Sequence, residues 1–361
     1  MGKTILILVN HDIVIYNFRK EIVEELIQQG HNVIISSPYG ERIDDLIAMG
    51  SDYVETDMRR HSTNIFGELK LIREYKRMMK SIQPDVVLTF TIKPNIYGGI
   101  AAQSQGIPYI ANITGLGTAV ENGGVMQRIT TLLYRYAFRN VNTVFFQNEE
   151  NKQFFVDRNI AIKKHHVLPG SGVNLEHFKP LPYPDGETVE FAFISRIMKQ
   201  KGIDQYLEAA KVIKKKYPNT IFHVCGFCEE EYEGELNQLH QDGIIHYHGM
   251  IRDIREVLKS VHCTVHPTYY PEGLSNVLLE SAACARPIIT TDRSGCREAV
   301  EDGINGYLVK PKDTTSLIEK IEQFLCAVSS EKKSMGNSGR EKVSREFDRK
   351  IVVEQYLKRI N

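Results

Sequence analysis

The 361-residue chain has no surplus of either charge: 45 Lys and Arg balance 45 Asp and Glu. A nucleic-acid binder needs a basic excess to meet the phosphates, so that class is set aside. No apolar run approaches the ~18 residues a membrane-spanning helix requires. The first apolar stretch, "TILILV", is too short and too soon interrupted for a signal peptide, and the protein is expected in the cytoplasm. Cysteine is scarce, with six in all, at positions 225, 228, 263, 284, 296 and 326. Most fall inside apolar runs and read as small buried hydrophobes. Cys225 and Cys228 form a CxxC, but no second ligand pair stands at zinc spacing. A G-x-G-x-x-G fingerprint follows the first strand of neither half, which argues against a dinucleotide. No acidic metal-binding cluster stands out either, and neither cofactor nor metal is expected.

What is present is a rhythm. From residue 4, short β-branched runs alternate with amphipathic stretches: "TILILV", "FRKEIVEELIQQG", "HNVIISS", "LKLIREYKRMMKSI", "DVVLTFT", "PYIANIT". Such alternation means βαβ units and a parallel sheet. It breaks at "GSGVNLEHFKPLPYPDGE", rich in proline and glycine, and resumes with "VEFAFIS", "TIFHVCG", "CTVHPT" and "PIITT". Length and rhythm together predict an α/β protein of two doubly wound, Rossmann-like domains facing each other across a cleft. The expected division is a first domain over 1–170, a linker over 171–187 and a second domain over 188–345. A C-terminal helix over 346–361 is expected to pack back on the first domain.

Two segments carry candidate chemistry. In "PEGLSNVLLESAACARP" (271–287), Pro271 and Gly273 break the chain before a helix beginning near Ser275. The amides of Gly273, Leu274 and Ser275 are expected to point out of its N-terminus, a site for a pyrophosphate. Glu272 at that mouth and Glu280 in the second turn suit hydroxyl groups of a sugar or ribose. The plainer alternative is a solvated helix start, with Glu272 complementing the dipole. In "ISRIMKQKGID" (194–204), Arg196 follows an apolar strand and Lys201 precedes a helix, so both cations fall at the strand's carboxyl end, where a phosphate would bind.

Together these segments resemble the family-4 glycosyltransferases of the GT-B fold, over nearly the whole chain. Glu272 and Glu280, with seven residues between, match the family's glutamate pair, and Arg196 and Lys201 its "R...K-G" segment. "PGSGVNLEHFKP" and "SGCREAVEDGINGYLVKPKD" match two further stretches. The resemblance implies a retaining transfer in which Arg196 and Lys201 hold the donor diphosphate, Glu280 the ribose and Glu272 the transferred sugar; with two cations and a helix N-terminus at the leaving group, no metal is required. Backbone groups of Met250 and Ile251 are expected at the base, for which UDP is the family's choice. Two departures stand out: "VCGFC" keeps only Gly226 of a family G-x-G, and Thr114 stands in "NITGLG" where many members have histidine.

Loops of the first half place His11, Asn17, Arg19, Lys93 and Asn95 on the acceptor side, and the resemblance adds Thr114, backbone groups or another residue in place of the family's histidine. "HDIVIYNFR" and "NITGLG" resemble a branch that builds bacterial capsule, O-antigen or similar glycans on a polyprenyl diphosphate, so the expected partners are a nucleotide sugar and a lipid-linked glycan. Two helices, "GELKLIREYKRMMKSI" and "GGVMQRITTLLYRYAFRN", mix basic with apolar residues, the pattern of peripheral contact with an anionic membrane as well as of ordinary helices on a sheet. Rival readings are a UDP-sugar 2-epimerase on the same fold and a non-catalytic sugar-nucleotide-binding subunit. A glycosidase needs two carboxylates flanking the scissile bond, and only Glu272 is placed at the sugar.

Overall fold

The computed structural model describes residues 2–58, 65–117, 120 and 123–361. They form two compact units. One comprises the chain up to Gly172 with Pro271–Leu274 and Arg349–Asn361; the other comprises Val173–Tyr270 and Ser275–Asp348.

The first unit is built on a parallel sheet of seven strands: β1 (Thr4–Leu8), β2 (Asn32–Ser37), β3 (Asp52–Glu55), β4 (Val86–Phe90), β5 (Tyr109–Ile113), β6 (Thr143–Phe146) and β7 (His165–Val167). Their order is β3-β2-β1-β4-β5-β6-β7. Helices cover both faces, which is why β1, β4 and β5 read as almost wholly apolar runs. Leu6 and Leu8 point to the side of Leu71, Tyr75, Met79 and Tyr134, while Ile5, Ile7 and Val9 meet Ile22, Val23 and Leu26. The C-terminal helix Arg349–Ile360 joins this second face through Val352, Val353, Tyr356 and Ile360. Tyr356 also accepts a hydrogen bond from Asn112 Nδ2 at 2.6 Å. Arg349, at the helix start, donates to both Glu21 oxygens at 2.9 Å and to the carbonyl of Gly172 at 3.2 Å.

The second unit has six parallel strands: β8 (Val189–Ile194), β9 (Thr220–Cys225), β10 (His246–Gly249), β11 (Cys263–His266), β12 (Ile288–Thr291) and β13 (Gly306–Val309). They run in the order β10-β9-β8-β11-β12-β13. The residues after Gly172, expected as linker, are packed into this unit. Arg286 is wholly buried and donates to the carbonyls of Leu181, Pro182 and Leu258. A buried guanidinium needs acceptors for its donors, and the proline-rich stretch supplies two of them, the carbonyls of Leu181 and Pro182. Arg340 takes the carbonyl of Phe178 in the same way.

Strand order reverses between β1 and β4 in the first sheet and between β8 and β11 in the second. In open α/β sheets, ligands bind at the carboxyl ends of the strands at such points.

Candidate functional site

At the switch point of the second sheet two loops meet. The chain leaves β8 through Arg196, makes a 3-10 turn over Lys199–Lys201 and enters the helix Ile203–Lys216; the chain leaves β11 through Pro267–Tyr270. Their contact dictates a glycine: Gly202 has φ +82, and a Cβ there would lie 2.2 Å from the carbonyl oxygen of Pro267. Tyr269 N and Thr268 Oγ1 both donate to the carbonyl of Gln200, at 2.9 and 3.3 Å. This stitching brings Tyr270 between the two cations named from the sequence. Lys201 Nζ lies 4.9 Å and the Arg196 guanidinium 5.4 Å from its ring centroid. An aromatic face holding two cations lowers their mutual repulsion without neutralising either.

Arg196 is also ion-paired with Glu229. Burial opposes its charge, but the Glu229 carboxylate outweighs that and holds the guanidinium pKa above its ordinary value. Glu229 follows the turn after β9, and there Gly226 is indispensable: its φ is +146, and a Cβ would fall within 1.7 Å of the carbonyl oxygen of Ser195. The one glycine that "VCGFC" retains is the one the approach of β8 and β9 demands.

His266, the last residue of β11, sits between Lys201 and the next element. Burial, followed by the charge of Lys201, pushes its pKa well below the ordinary histidine value, so the ring is neutral. Its Nε2 is 3.2 Å from Ser275 Oγ. Ser275 is the N-cap of the helix Asn276–Ala283. Here one expectation is corrected. The Ser275 amide does not point free from the helix mouth but donates to the carbonyl of Gly295 at 2.8 Å. The helix opens one residue later, with no side chain capping it, so its first amides belong to Asn276 and Val277. Glu280 is half-buried in the second turn. Met250 is exposed and Ile251 half-buried just beyond β10, at the same edge of the sheet.

Pro271–Leu274, which carries Glu272, belongs to the first unit. A Cβ on Gly273 would lie 2.2 Å from Gln147 Oε1 and 2.3 Å from the carbonyl oxygen of Thr114, so only glycine fits. Gly115 faces the carbonyl of Pro271, and Leu274 packs against Gly170. Asn148 donates to the carbonyls of Glu272 and Gly273. Thr114 thus meets this segment through its backbone. Tyr270, Glu229, His266, Gln147 and Asn148 were not singled out from sequence. Asn148 alone left a local signal, as an N-cap residue before "EENKQFFV".

The other acceptor-side candidates divide. His11 caps the helix Asp12–Phe18, accepting from Ile13 N at 3.3 Å. Asn17 is exposed, and Lys93 pairs with Glu68 at 2.8 Å. Arg19 and Asn95 are corrected: both are taken into the interior. Arg19 is 1% exposed, donates to the carbonyl of Phe18 and lies 5.5 Å from the Phe90 centroid, with burial pushing its pKa down. Asn95 bridges Thr89 Oγ1 and the carbonyl of Asn112, at 2.7 and 2.8 Å. At the switch point of this sheet, Asn10 after β1 and Thr91 after β4 each bury a side-chain oxygen without a hydrogen-bond partner. Thr91 holds φ +71, a strained conformation for a β-branched residue.

Of the two basic helices, Ile65–Ile82 buries Leu71, Tyr75 and Met79 in the ordinary way. Gly124–Ala137 differs. It buries Thr130, Thr131, Tyr134 and Ala137 but exposes Val125, Met126, Ile129, Leu132 and Tyr136 beside Arg128 and Arg135, and contains no acidic residue. Among the described residues no helix is long and apolar enough to cross a membrane, and no group of three or more His, Cys, Asp or Glu is arranged to hold a metal ion.

Comparison with known proteins agrees with this architecture. Residues 4–148 match the family model "Glycosyl transferase 4-like", and residues 176–342 match "Glycosyl transferases group 1". The chain is 28% identical, over 95% of its length and 94% of the relative's, to the N,N'-diacetylbacillosaminyl-diphospho-undecaprenol alpha-1,3-N-acetylgalactosaminyltransferase of Campylobacter jejuni. It is 25% identical, over 79% of its length and 77% of the relative's, to the UDP-Gal:alpha-D-GlcNAc-diphosphoundecaprenol alpha-1,3-galactosyltransferase of Escherichia coli. Among solved structures, Anabaena HepE in complex with UDP-glucose superposes with a TM-score of 0.81 at 17% identity, covering 99% of both chains.

Proposed function

The chain being a family-4 glycosyltransferase of the GT-B fold, we propose that it moves a hexose or N-acetylhexosamine from a UDP-sugar to a polyprenyl-diphosphate-linked glycan in bacterial surface polysaccharide synthesis. The observation that carries the donor half of this reading is the convergence of Arg196 and Lys201 on Tyr270 at the switch point of the second sheet. Two fixed cations there suit a diphosphate, and the uncapped helix Asn276–Ala283, which opens beside His266, adds backbone dipoles of the same sign.

Cleavage of the bond between the sugar's anomeric carbon and the diphosphate oxygen leaves an electron pair on that oxygen. Arg196, Lys201 and the helix amides stabilise this growing charge, which is the part of the reaction the protein accelerates. They supply the positive charge that a metal ion would otherwise bring, so transfer proceeds without one. Glu280 takes the ribose hydroxyls, the backbone around Met250 and Ile251 the base, and Glu272 the transferred sugar, where positive character develops. The anomeric configuration is retained by attack of the acceptor on the face the diphosphate leaves. On the acceptor side, His11, Asn17, Lys93 and Thr114 remain the binding candidates. The first unit's helix Gly124–Ala137 contacts the anionic membrane surface in which a polyprenyl acceptor resides, with its exposed apolar residues entering the interface and its arginines meeting the headgroups.

The test is a panel of nucleotide sugars offered to the purified protein with and without a polyprenyl-diphosphate-linked glycan, in excess chelator. Acceptor-dependent consumption of a UDP-sugar is expected. Conversion of the sugar nucleotide without acceptor would mean an epimerase instead, and binding without any turnover would mean a silent subunit.

A further inference from the structure

We infer that Asn148 is a positioning residue for transfer, holding the backbone of the segment that carries Glu272; this rests on the role proposed for Glu272. Asn148 is 3% exposed, and both ends of its amide are committed. Oδ1 accepts from Asn151 N at 2.7 Å and caps the helix Glu149–Val156. Nδ2 donates to two successive carbonyls, those of Glu272 at 3.2 Å and Gly273 at 2.5 Å. The second end is the informative one, because an N-cap needs only the oxygen.

Successive carbonyls turned to one donor fix the peptide planes on both sides of the Gly273 Cα. That matters at glycine, whose backbone is otherwise the least restricted of any residue. The same Gly273 is pressed against Thr114 and Gln147, where a Cβ would lie 2.3 and 2.2 Å from their oxygens. Gln147 is itself buried and donates to Ser171 Oγ at 3.4 Å. Glu272 therefore stands on a backbone whose direction is set by residues 124 positions earlier in the chain.

Asn148→Asp separates the two tasks. Aspartate caps a helix as well as asparagine does, but it presents an oxygen where Nδ2 was, which donates nothing and repels both carbonyls. With UDP-sugar and a lipid-linked acceptor, the variant is expected to lose about tenfold or more in kcat while its UDP affinity stays within about twofold of the parent. A residue acting through Glu272 must also be silent once Glu272 is disabled. The double variant Asn148→Asp, Glu272→Gln is therefore expected to transfer within about twofold of Glu272→Gln alone. Losses that multiply in the double variant, or wild-type kcat in Asn148→Asp while Glu272→Gln is impaired, would overturn the inference alone. Wild-type transfer by Glu272→Gln would instead remove the role assigned to Glu272. Should Asn148→Asp fail to fold, Asn148→Ser retains a capping hydroxyl one atom too short for the two carbonyls, and the same outcomes decide.

Discussion

Glu272 and Glu280 stand eight positions apart, yet the structure assigns them to different compact units. Their substitutions should fail differently. Glu280→Gln keeps an acceptor oxygen but loses the charge that strengthens a bond from a ribose hydroxyl, so UDP affinity should fall about tenfold. Glu272→Gln should leave UDP affinity intact and depress transfer. Titration with UDP and a transfer assay on both variants check this, and reversed losses would mean that the assignments must be exchanged. Glu229 offers a second residue-level prediction. It is ion-paired with Arg196, so under the proposed role of Arg196 it competes with the diphosphate for that guanidinium. Pairs this exposed contribute little, ~0–1 kcal/mol, and Glu229→Gln should tighten UDP by about two- to fivefold. Weaker binding in this variant would show that Glu229 orients Arg196 rather than competing for it.

Helices carry the next set of consequences. Gly124–Ala137 turns an apolar and arginine-only face to solvent, with Val125 at 72% exposure. Ile129→Glu with Leu132→Glu changes only that exposed face and should leave UDP binding unaltered. It should also lower co-sedimentation with phosphatidylglycerol-containing vesicles by about tenfold or more, since basic residues near a membrane contribute ~1 kcal/mol each and carboxylates oppose them. Equal binding by parent and variant would mean that the face serves another purpose. The C-terminal helix makes a different prediction. Tyr356 is fully buried against Phe90 and Phe145, with ring centroids 6.0 and 4.8 Å away. Tyr356→Ala removes a large core side chain and the partner of Asn112, a loss of about 3–5 kcal/mol. Urea unfolding should show the first unit's transition moving down while UDP still protects the second; transitions shifting together would refute the division of labour.

At the scale of the molecule, much of the fold was legible in the sequence for one reason: parallel strands buried on both faces are mostly apolar, and β1, β4, β5 and β8 are so apart from single polar residues such as Thr89, Asn112 and Glu190. Arg196 and Lys201 were legible too, because their place at the end of an apolar strand follows from chain order. The rest depended on contacts with no local signature. Arg19 and Asn95 look like loop polar groups until Phe90, Thr89 and Asn112 are seen around them. The Ser275 amide reads as free until Gly295 arrives from 20 residues downstream. Tyr270 and Asn148 act through partners set by the tertiary fold, which spacing along the chain does not encode.

The four residues Pro271–Leu274 belong with the first unit although 98 residues of the second precede them and 74 follow. Inheritance is the consequence. A recombination that exchanges the stretch from Val173 to Asp348 between two such enzymes brings a foreign "PEGL" against the host's Thr114, Gln147, Asn148 and Gly170. The exchanged stretch can therefore fit its new host only if those host positions tolerate the incoming loop. Natural variation at Gln147 and Asn148 should follow variation at Glu272 and Gly273 across 124 or more positions of chain, a coupled drift that treating the halves as separable modules would miss.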